Sequence, residues 1–289
     1  MGAVAMGVIG WVITACSGDR RKTATTTKPV IAVSIPPQLF FLDSIAGDRV
    51  ETFCLLESSS DPEMFEPSMN QLVALEQADS YVPIGSLPFE KPLIERLKSN
   101  RPDLLVSPAS DGIVELKGTH DHDGKHSENE VDPHVWSSVK NARMMALNIL
   151  NMLVSVDSKN EDFYRANYGR LDARLDSIDK EFTGIFEKMD SKPSFVVWHP
   201  SLSYFARDYG LNQVSLSDAG KEKSVKGMIE RIDRIKDQKA TVYFYQKEFD
   251  SDRAKAISEE TGAKIIEINP MNREWEDEMQ KLYDAFTLN

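Results

Sequence analysis

Two α/β lobes with parallel sheets, joined by one long rigid helix, are the fold that this sequence predicts. Three observations carry the prediction. Over residues 30–158, short β-branched runs alternate with helical patterns, which implies parallel strands linked by crossover helices. Residues 159–190 hold the longest periodic segment, Glu161–Met189. There Tyr164, Tyr168, Leu171, Leu175, Ile178, Phe182 and Ile185 recur at alternating spacings of 4 and 3 and form one apolar stripe. Over residues 191–289 the strand–helix alternation restarts. In open parallel sheets, ligands bind beyond the carboxyl ends of the strands. The expected site is therefore the cleft between the lobes.

Each element has its own signal. Val30–Ile35 is a β-branched strand ended by Pro36-Pro37, Leu39–Ile45 reads as a helix closed by Gly47, and Val50–Leu55 is the next strand. Ser68-Met69-Asn70-Gln71 is a capping-box pattern that starts a helix running to about Gln77. Tyr81–Ile84 and Leu104–Ser107 are further strands, with a helix around Leu93–Lys98 between them, and Val139–Val154 is a helix. At 1.5 Å per residue the long segment spans about 44 Å, more than one small domain needs, so it bridges two. Gly169 and Gly184 each weaken it by about 1 kcal/mol relative to alanine. A coiled-coil dimerisation helix is the alternative. Beyond it, Ser194–Trp198 is a strand with His199 at its carboxyl end, and Ser203–Asp208 and Ser224–Lys236 are helices. Thr241–Tyr245 is a strand, Asp250–Thr261 a helix closed by Gly262, and Lys264–Ile268 a strand followed directly by Asn269. Trp275–Phe286 is the last helix.

Composition narrows the partner. The 289 residues are 41% apolar, enough for two domains with cores. The net charge of −12 argues against nucleic acid, which calls for basic patches, and suits a cation. Met1–Ala15 is a short, uncharged apolar run with small residues approaching Cys16, and it resembles a bacterial lipoprotein signal. Residues 1–15 then read as a signal peptide, Cys16 as the lipidated residue that ties the chain to a membrane, and 16–29 as a Thr-rich flexible tether. The absence of Lys or Arg ahead of the run leaves the true start codon open. The run is short for a span of roughly 20 apolar residues; an uncleaved anchor is the alternative. With Cys16 lipidated, Cys54 has no partner for a disulfide and reads as a buried thiol.

The histidines are not spread evenly. Four of the five fall in Gly118–Trp136: His120, His122, His126 and His134. Asp121, Asp123, Glu128, Glu130 and Asp132 lie among them. Imidazole is the commonest side-chain ligand for transition metals, and short His-rich tracts read as metal binding. Residues 118–131 are polar and aperiodic, so they form a surface loop in which His120, His122 and His126 bind metal weakly. A solvated acidic loop with chance histidines is the plainer alternative. At Asp132-Pro133-His134-Val135-Trp136 the character changes. Pro133 fixes its own φ and extends Asp132, and Val135 and Trp136 anchor in a core. His134 is thus the histidine held rigidly, and with His199 from the other lobe it makes a half-site. The third ligand is sought in Ser60–Pro67, where Pro62 and Pro67 stiffen a segment holding Glu63 and Glu66.

The chain resembles the metal-binding lipoproteins of bacterial ABC importers for zinc and manganese, and most of all the zinc branch. The carriers are the strand ending in Pro36-Pro37, Ala46-Gly47-Asp48-Arg49-Val50, Asp61-Pro62-Glu63 with Glu66-Pro67, Asp132-Pro133-His134-Val135-Trp136, Val196-Val197-Trp198-His199 with Tyr204-Phe205-Ala206, and Glu259–Lys264. The resemblance covers Val30 to about Phe286. It implies a monomer that captures Zn2+ outside the inner membrane, on the periplasmic or exterior face, and hands it to an ABC permease and its ATPase. It also implies Glu63, His134 and His199 as ligands, with Asn269 as a weaker fourth. Two positions depart from the family pattern, where histidine is usual at Glu63 and aspartate at Asn269. A two-His, one-carboxylate set suits zinc, and also Mn2+ or Fe2+. A zinc-dependent hydrolase is the alternative from another class, although neither HExxH nor Gly-x-Ser-x-Gly occurs.

Overall fold

The computed structural model describes residues 28–118, 131–216 and 225–288. The expected signal peptide, Cys16, most of the tether, and His120, His122 and His126 lie outside these residues.

Each lobe is a four-stranded, all-parallel sheet. In the first, the strand order is β2-β1-β3-β4, with β1 Val30–Val33, β2 Glu51–Cys54, β3 Ser80–Val82 and β4 Leu105–Val106. Val33 stands opposite Cys54 on one side and Val82 on the other. In the second the order is β6-β5-β7-β8, with β5 Ser194–Val197, β6 Asn212–Ser215, β7 Val242–Tyr245 and β8 Lys264–Glu267. The winding reverses at β1 and at β5, since each central strand has its next neighbour in sequence on one side and the following one on the other. Such switch points open a crevice at the carboxyl ends.

The helices follow the sequence patterns with small shifts. Pro36 and Pro37 do not merely stop a strand; they are the first residues of α1, Pro36–Ala46. Proline's fixed φ and missing N–H suit the first turn of a helix. Gly47 closes α1 at φ 55°, and a Cβ there would come within 3.3 Å of the Phe163 ring. The capping box at Ser68 starts α2, Met69–Glu76: the Ser68 amide donates to Gln71 Oε1 at 2.8 Å. α3 is Glu90–Asn100 and α4 is Val139–Val156. Strand β6 is absent from the sequence reading because Asn-Gln-Val-Ser at a sheet edge has neither a β-branched run nor an apolar alternation. The other second-lobe helices are α6 Ser203–Tyr209, α7 Val225–Asp237, α8 Lys247–Thr261 and α9 Trp275–Thr287.

The long helix α5 runs Glu161–Glu187. Its apolar stripe is consumed inside the chain. Tyr164, Leu171, Leu175 and Phe182 are buried, and α5 packs on α1 and α4 at one end and on α6 and α9 at the other. Phe182 meets Phe205, Tyr209 and Tyr283 with ring centroids 5.0 to 5.8 Å apart. With that face covered, no stripe remains for the coiled coil.

One contiguous apolar core crosses from lobe to lobe. At the crossing, Trp275 of α9 sits on Phe40 and Phe41 of α1, centroids 5.8 and 5.3 Å apart. Its indole N–H donates to the Trp136 carbonyl at 2.7 Å, and Trp136 donates to the Pro270 carbonyl at 2.8 Å. Two indole bonds in series and a shared core therefore fix how the lobes face each other.

Candidate metal centre

Glu63, His134 and His199 converge, and one donor atom from each lies within 4.8 Å of the others. Glu63 comes from the loop between β2 and α2. His134 begins a short 3-10 turn, Val135–Ser137, and His199 follows the switch-point strand β5. His199 Nε2 is 3.3 Å from both His134 Nε2 and Glu63 Oε1, and His134 Nε2 is 3.7 Å from that oxygen. A tetrahedral ion with bonds of 2.0–2.1 Å holds its donors roughly 3.3–3.4 Å apart. An octahedral shell of similar bond length would bring adjacent donors to about 3 Å. The donor spacing here fits the tetrahedral arrangement better.

The same local device presents two of the three donors. In Asp61-Pro62-Glu63, Asp61 Oδ1 accepts the Glu63 backbone N–H at 2.9 Å. In Asp132-Pro133-His134, Asp132 Oδ1 accepts the His134 backbone N–H, also at 2.9 Å. An aspartate that bonds the amide two residues on makes an Asx turn, and a proline between them pre-sets φ. Each turn aims the residue after the proline into the cleft.

Asp132 does more than turn the chain. The same Oδ1 meets His134 Nδ1 at 2.9 Å, which leaves Nε2 as the nitrogen facing the other donors. Carboxylates in this position fix the tautomer of a metal-binding imidazole and raise its basicity. Burial pushes the His134 pKa down, but the hydrogen bond and charge of Asp132, with the charges of Glu63 and Asp61, outweigh it, and the value lies above the ordinary histidine range. Asp132 moves the other way: burial raises its carboxyl, and the contact with His134 brings it below the usual range. From the second lobe, the Tyr204 hydroxyl donates to the Asp132 carbonyl at 2.8 Å and accepts the Leu116 N–H at 3.1 Å. Tyr204 follows His199 by five residues, so the segment carrying one histidine also grips the aspartate that orients the other. Sequence reading missed Asp132 and Tyr204 in these roles. The Asp-Pro-X spacing was the available signal for Asp132; a tyrosine on a short helix offers none.

The remaining candidates fall in different places. Asn269 lines the same cavity as the two histidines. Its amide oxygen accepts the Met271 N–H at 2.9 Å and its amino group donates to the Ser58 carbonyl across the cleft at 3.3 Å. Glu66 is exposed and lines, with Glu63, Phe65, Phe89 and Arg96, a groove other than the one lined by the two histidines. Cys54 is half-buried, with its thiol on the Leu56 carbonyl at 3.2 Å, and burial pushes its pKa up to about 12, so it stays a neutral packing residue. Burial grades across the centre. The side chains of His134 and Glu63 are 4% and 6% exposed, whereas His199 is 31% exposed and forms the open edge.

A family model described as zinc-uptake complex component A, periplasmic (ZnuA), matches residues 31–287. The zinc-binding lipoprotein AdcA of Streptococcus pneumoniae is 26% identical over 271 residues, covering 90% of this chain and 52% of its own length. This chain thus spans about half the length of the first curated relatives it matches. A putative metal-binding protein of Treponema pallidum is 27% identical over 95% of this chain and 90% of its own length. Among solved structures, a crystal structure of ZnuA superposes with a TM-score of 0.78 at 33% identity, covering 90% of this chain and 99% of that one. A zinc-bound ZnuA with residues 138–173 deleted gives 0.77 at 32% identity, covering 89% and 95%. With the family model matched over nearly every described residue, and the paired lobes and long helix superposing on these structures, the chain belongs to the ZnuA family of periplasmic zinc-uptake components.

Proposed function

We propose that this protein is the high-affinity zinc-binding component of an ABC importer. It takes up Zn2+ outside the inner membrane, between its lobes, and passes it to a permease driven by an ATPase. The observation that carries this reading is the donor set itself. Two imidazoles and a carboxylate from both lobes stand at near-tetrahedral spacing, in a chain of the zinc-uptake family. Zinc is cargo here. Glu63, His134 and His199 hold it, and the partly exposed His199 edge is where it enters and leaves. Mn2+ or Fe2+ is the second reading, favoured by the carboxylate at Glu63; the donor spacing favours zinc. A carrier rather than a hydrolase also fits the neighbouring carboxylates. Asp61 and Asp132 are engaged in turns that hold the ligands.

Titration calorimetry tests the proposal. One tight zinc equivalent per chain is expected, with Mn2+ at least tenfold weaker. Deleting Thr119–Glu130, with His120, His122 and His126, should remove only weak extra equivalents. Manganese binding more tightly than zinc would reverse the metal assignment, and loss of the tight equivalent on deletion would move the site into that segment. Lipidation at Cys16 is part of the proposal and places the protein on the outer face of a membrane as a monomer. Cys16→Ser should leave the protein unprocessed or soluble; an intact mass of the membrane-extracted parent that shows an unmodified Cys16 with Met1 retained would discard the anchor.

Proton competition gives a further expected result. Zinc needs a neutral His134, and Asp132 holds that imidazole's pKa above the ordinary value of about 6.5. Zinc affinity should therefore start to fall above pH 6.5 as the solution is acidified. The slope should approach tenfold per pH unit for each proton displaced. The metal-free protein behaves oppositely. A raised histidine pKa adds stability that is fully present below the unfolded value and is lost as pH rises through the folded one. Calorimetry in steps from pH 8 to 5.5 tests this. Affinity flat down to pH 6 would show that Asp132 does not act on His134 in this way.

A further inference from the structure

The turn that presents Glu63 and His134 occurs a third time at the cleft. In Asn269-Pro270-Met271, as in Asp61-Pro62-Glu63 and Asp132-Pro133-His134, the side-chain Oδ1 of the first residue accepts the backbone N–H of the third, here Met271 at 2.9 Å. Aspartate and asparagine both build this turn. What asparagine adds is a donor. The Met271 N–H can only donate and a carbonyl can only accept, so one orientation of the Asn269 amide satisfies both neighbours. Its Nδ2 then donates across the cleft to the Ser58 carbonyl at 3.3 Å. Ser58 stands five residues before Glu63, in the loop that carries it.

Both ends of this contact are anchored. On the second lobe, the Asn269 N–H donates to Glu278 Oε2 at 2.8 Å. Glu278 is a 5% exposed residue of α9, and it also accepts Asn272 Nδ2 at 2.8 Å and Lys281 Nζ at 2.9 Å. On the first lobe, the N–H groups of Leu55 and Leu56 tie the start of the loop to the Val33 and Ser34 carbonyls at 3.0 Å. The Ser60 N–H then closes a turn on the Glu57 carbonyl, also at 3.0 Å, and the Asp61 turn follows directly. Two turns in succession leave little slack between Ser58 and Glu63.

We propose that Asn269 is a positioning residue for Glu63 and not a ligand of the cation. This rests on the reading of Glu63, His134 and His199 as the zinc site. From the second lobe, the Asn269 amide holds the loop that brings Glu63 to the two histidines. The other ligand segment of the first lobe is gripped from the same side, by Tyr204 on the Asp132 carbonyl and by the Pro270 carbonyl on the Trp136 indole. A loop held in place before the cation arrives lowers the ordering cost of binding. Aspartate at this position would keep the turn, but it has no hydrogen to donate, and its second oxygen would meet the Ser58 carbonyl as acceptor against acceptor.

Hydrogen exchange and titration calorimetry on the full chain test this with Asn269→Asp, which keeps the turn, and Asn269→Ala, which loses it. In the metal-free protein both substitutions should speed amide exchange in residues 57–67 about fivefold, the worth of one hydrogen bond. Exchange in α4 should stay at the parent rate. The zinc Kd should rise about fivefold in both variants, with one tight equivalent retained. Exchange in residues 57–67 that does not change in Asn269→Asp, or that rises no more than in α4, overturns the proposal. So does tighter zinc binding by Asn269→Asp, because the side chain at 269 would then reach the cation. Each of these results leaves the zinc site standing, whereas a parent without a tight zinc equivalent overturns both readings.

Discussion

Replacing His134 or His199 with alanine should remove most of the gain in thermal stability that zinc confers. A ligand bound only by the folded state stabilises it by RT ln(1 + [L]/Kd), about 4 kcal/mol at a thousandfold excess over Kd. For a chain of this size each kcal/mol moves Tm by about 2–4 °C, so the parent should gain roughly 10 °C. Two remaining donors cannot close a zinc shell. If Kd rises a thousandfold, the same zinc concentration stabilises by only about 0.4 kcal/mol, and the melting shift falls to about 1 °C. Glu63→His should keep the full shift, because it leaves three good donors. Asn269→Ala should cost less than either histidine change, since a neutral amide is a weak zinc donor. Differential scanning calorimetry with and without zinc decides. A His199→Ala protein that keeps the parent's shift would remove the second lobe from the site.

The second large effect is expected at the crossing between the lobes. Trp275 is 2% exposed, packs on Phe40 and Phe41, and donates to the Trp136 carbonyl. Trp275→Ala empties that volume, and such changes cost about 3–5 kcal/mol. It also leaves a buried carbonyl without its donor, which adds about 1–3 kcal/mol. Trp275→Phe keeps most of the ring contact and should cost clearly less. Because Trp136 lies two residues beyond His134, loosening this weld should also weaken zinc binding, even though Trp275 touches no ligand. Urea unfolding measures the first effect and calorimetry the second. A loss under 1 kcal/mol for Trp275→Ala would mean that the lobes are not held together at this crossing.

How much of this could be read from the sequence depends on what each feature is made of. Periodicity is local, so α5 is legible in the sequence to within two residues of its end, and of its stripe Tyr164, Leu171, Leu175 and Phe182 are buried while Tyr168 and Ile178 are half-buried. The two-lobe α/β fold followed from alternation alone. Proline was the weak point. Pro36-Pro37 read as a stop because proline ends strands, yet the same fixed φ starts α1. The convergence of Glu63, His134 and His199 was expected from the family resemblance and from their positions after stiff or strand-ending segments. What the sequence did not display was how they are held. The contacts of Asp132 with His134 and of Tyr204 with Asp132 are set by side-chain geometry, and the second joins residues 72 positions apart. One trace of them was local: Asp-Pro occurs immediately before both Glu63 and His134, and in both places it builds the same turn.

X-ray absorption at the zinc edge, on protein loaded with one equivalent in imidazole-free buffer, tests the site most directly. Two imidazoles and oxygen donors at about 2.0–2.1 Å, with no sulfur near 2.3 Å, are expected. His199→Ala should reduce the imidazole count to one. A parent spectrum with three or more imidazoles would place the metal among the histidines of residues 119–130, and would contradict a zinc ion held between the lobes by Glu63, His134 and His199.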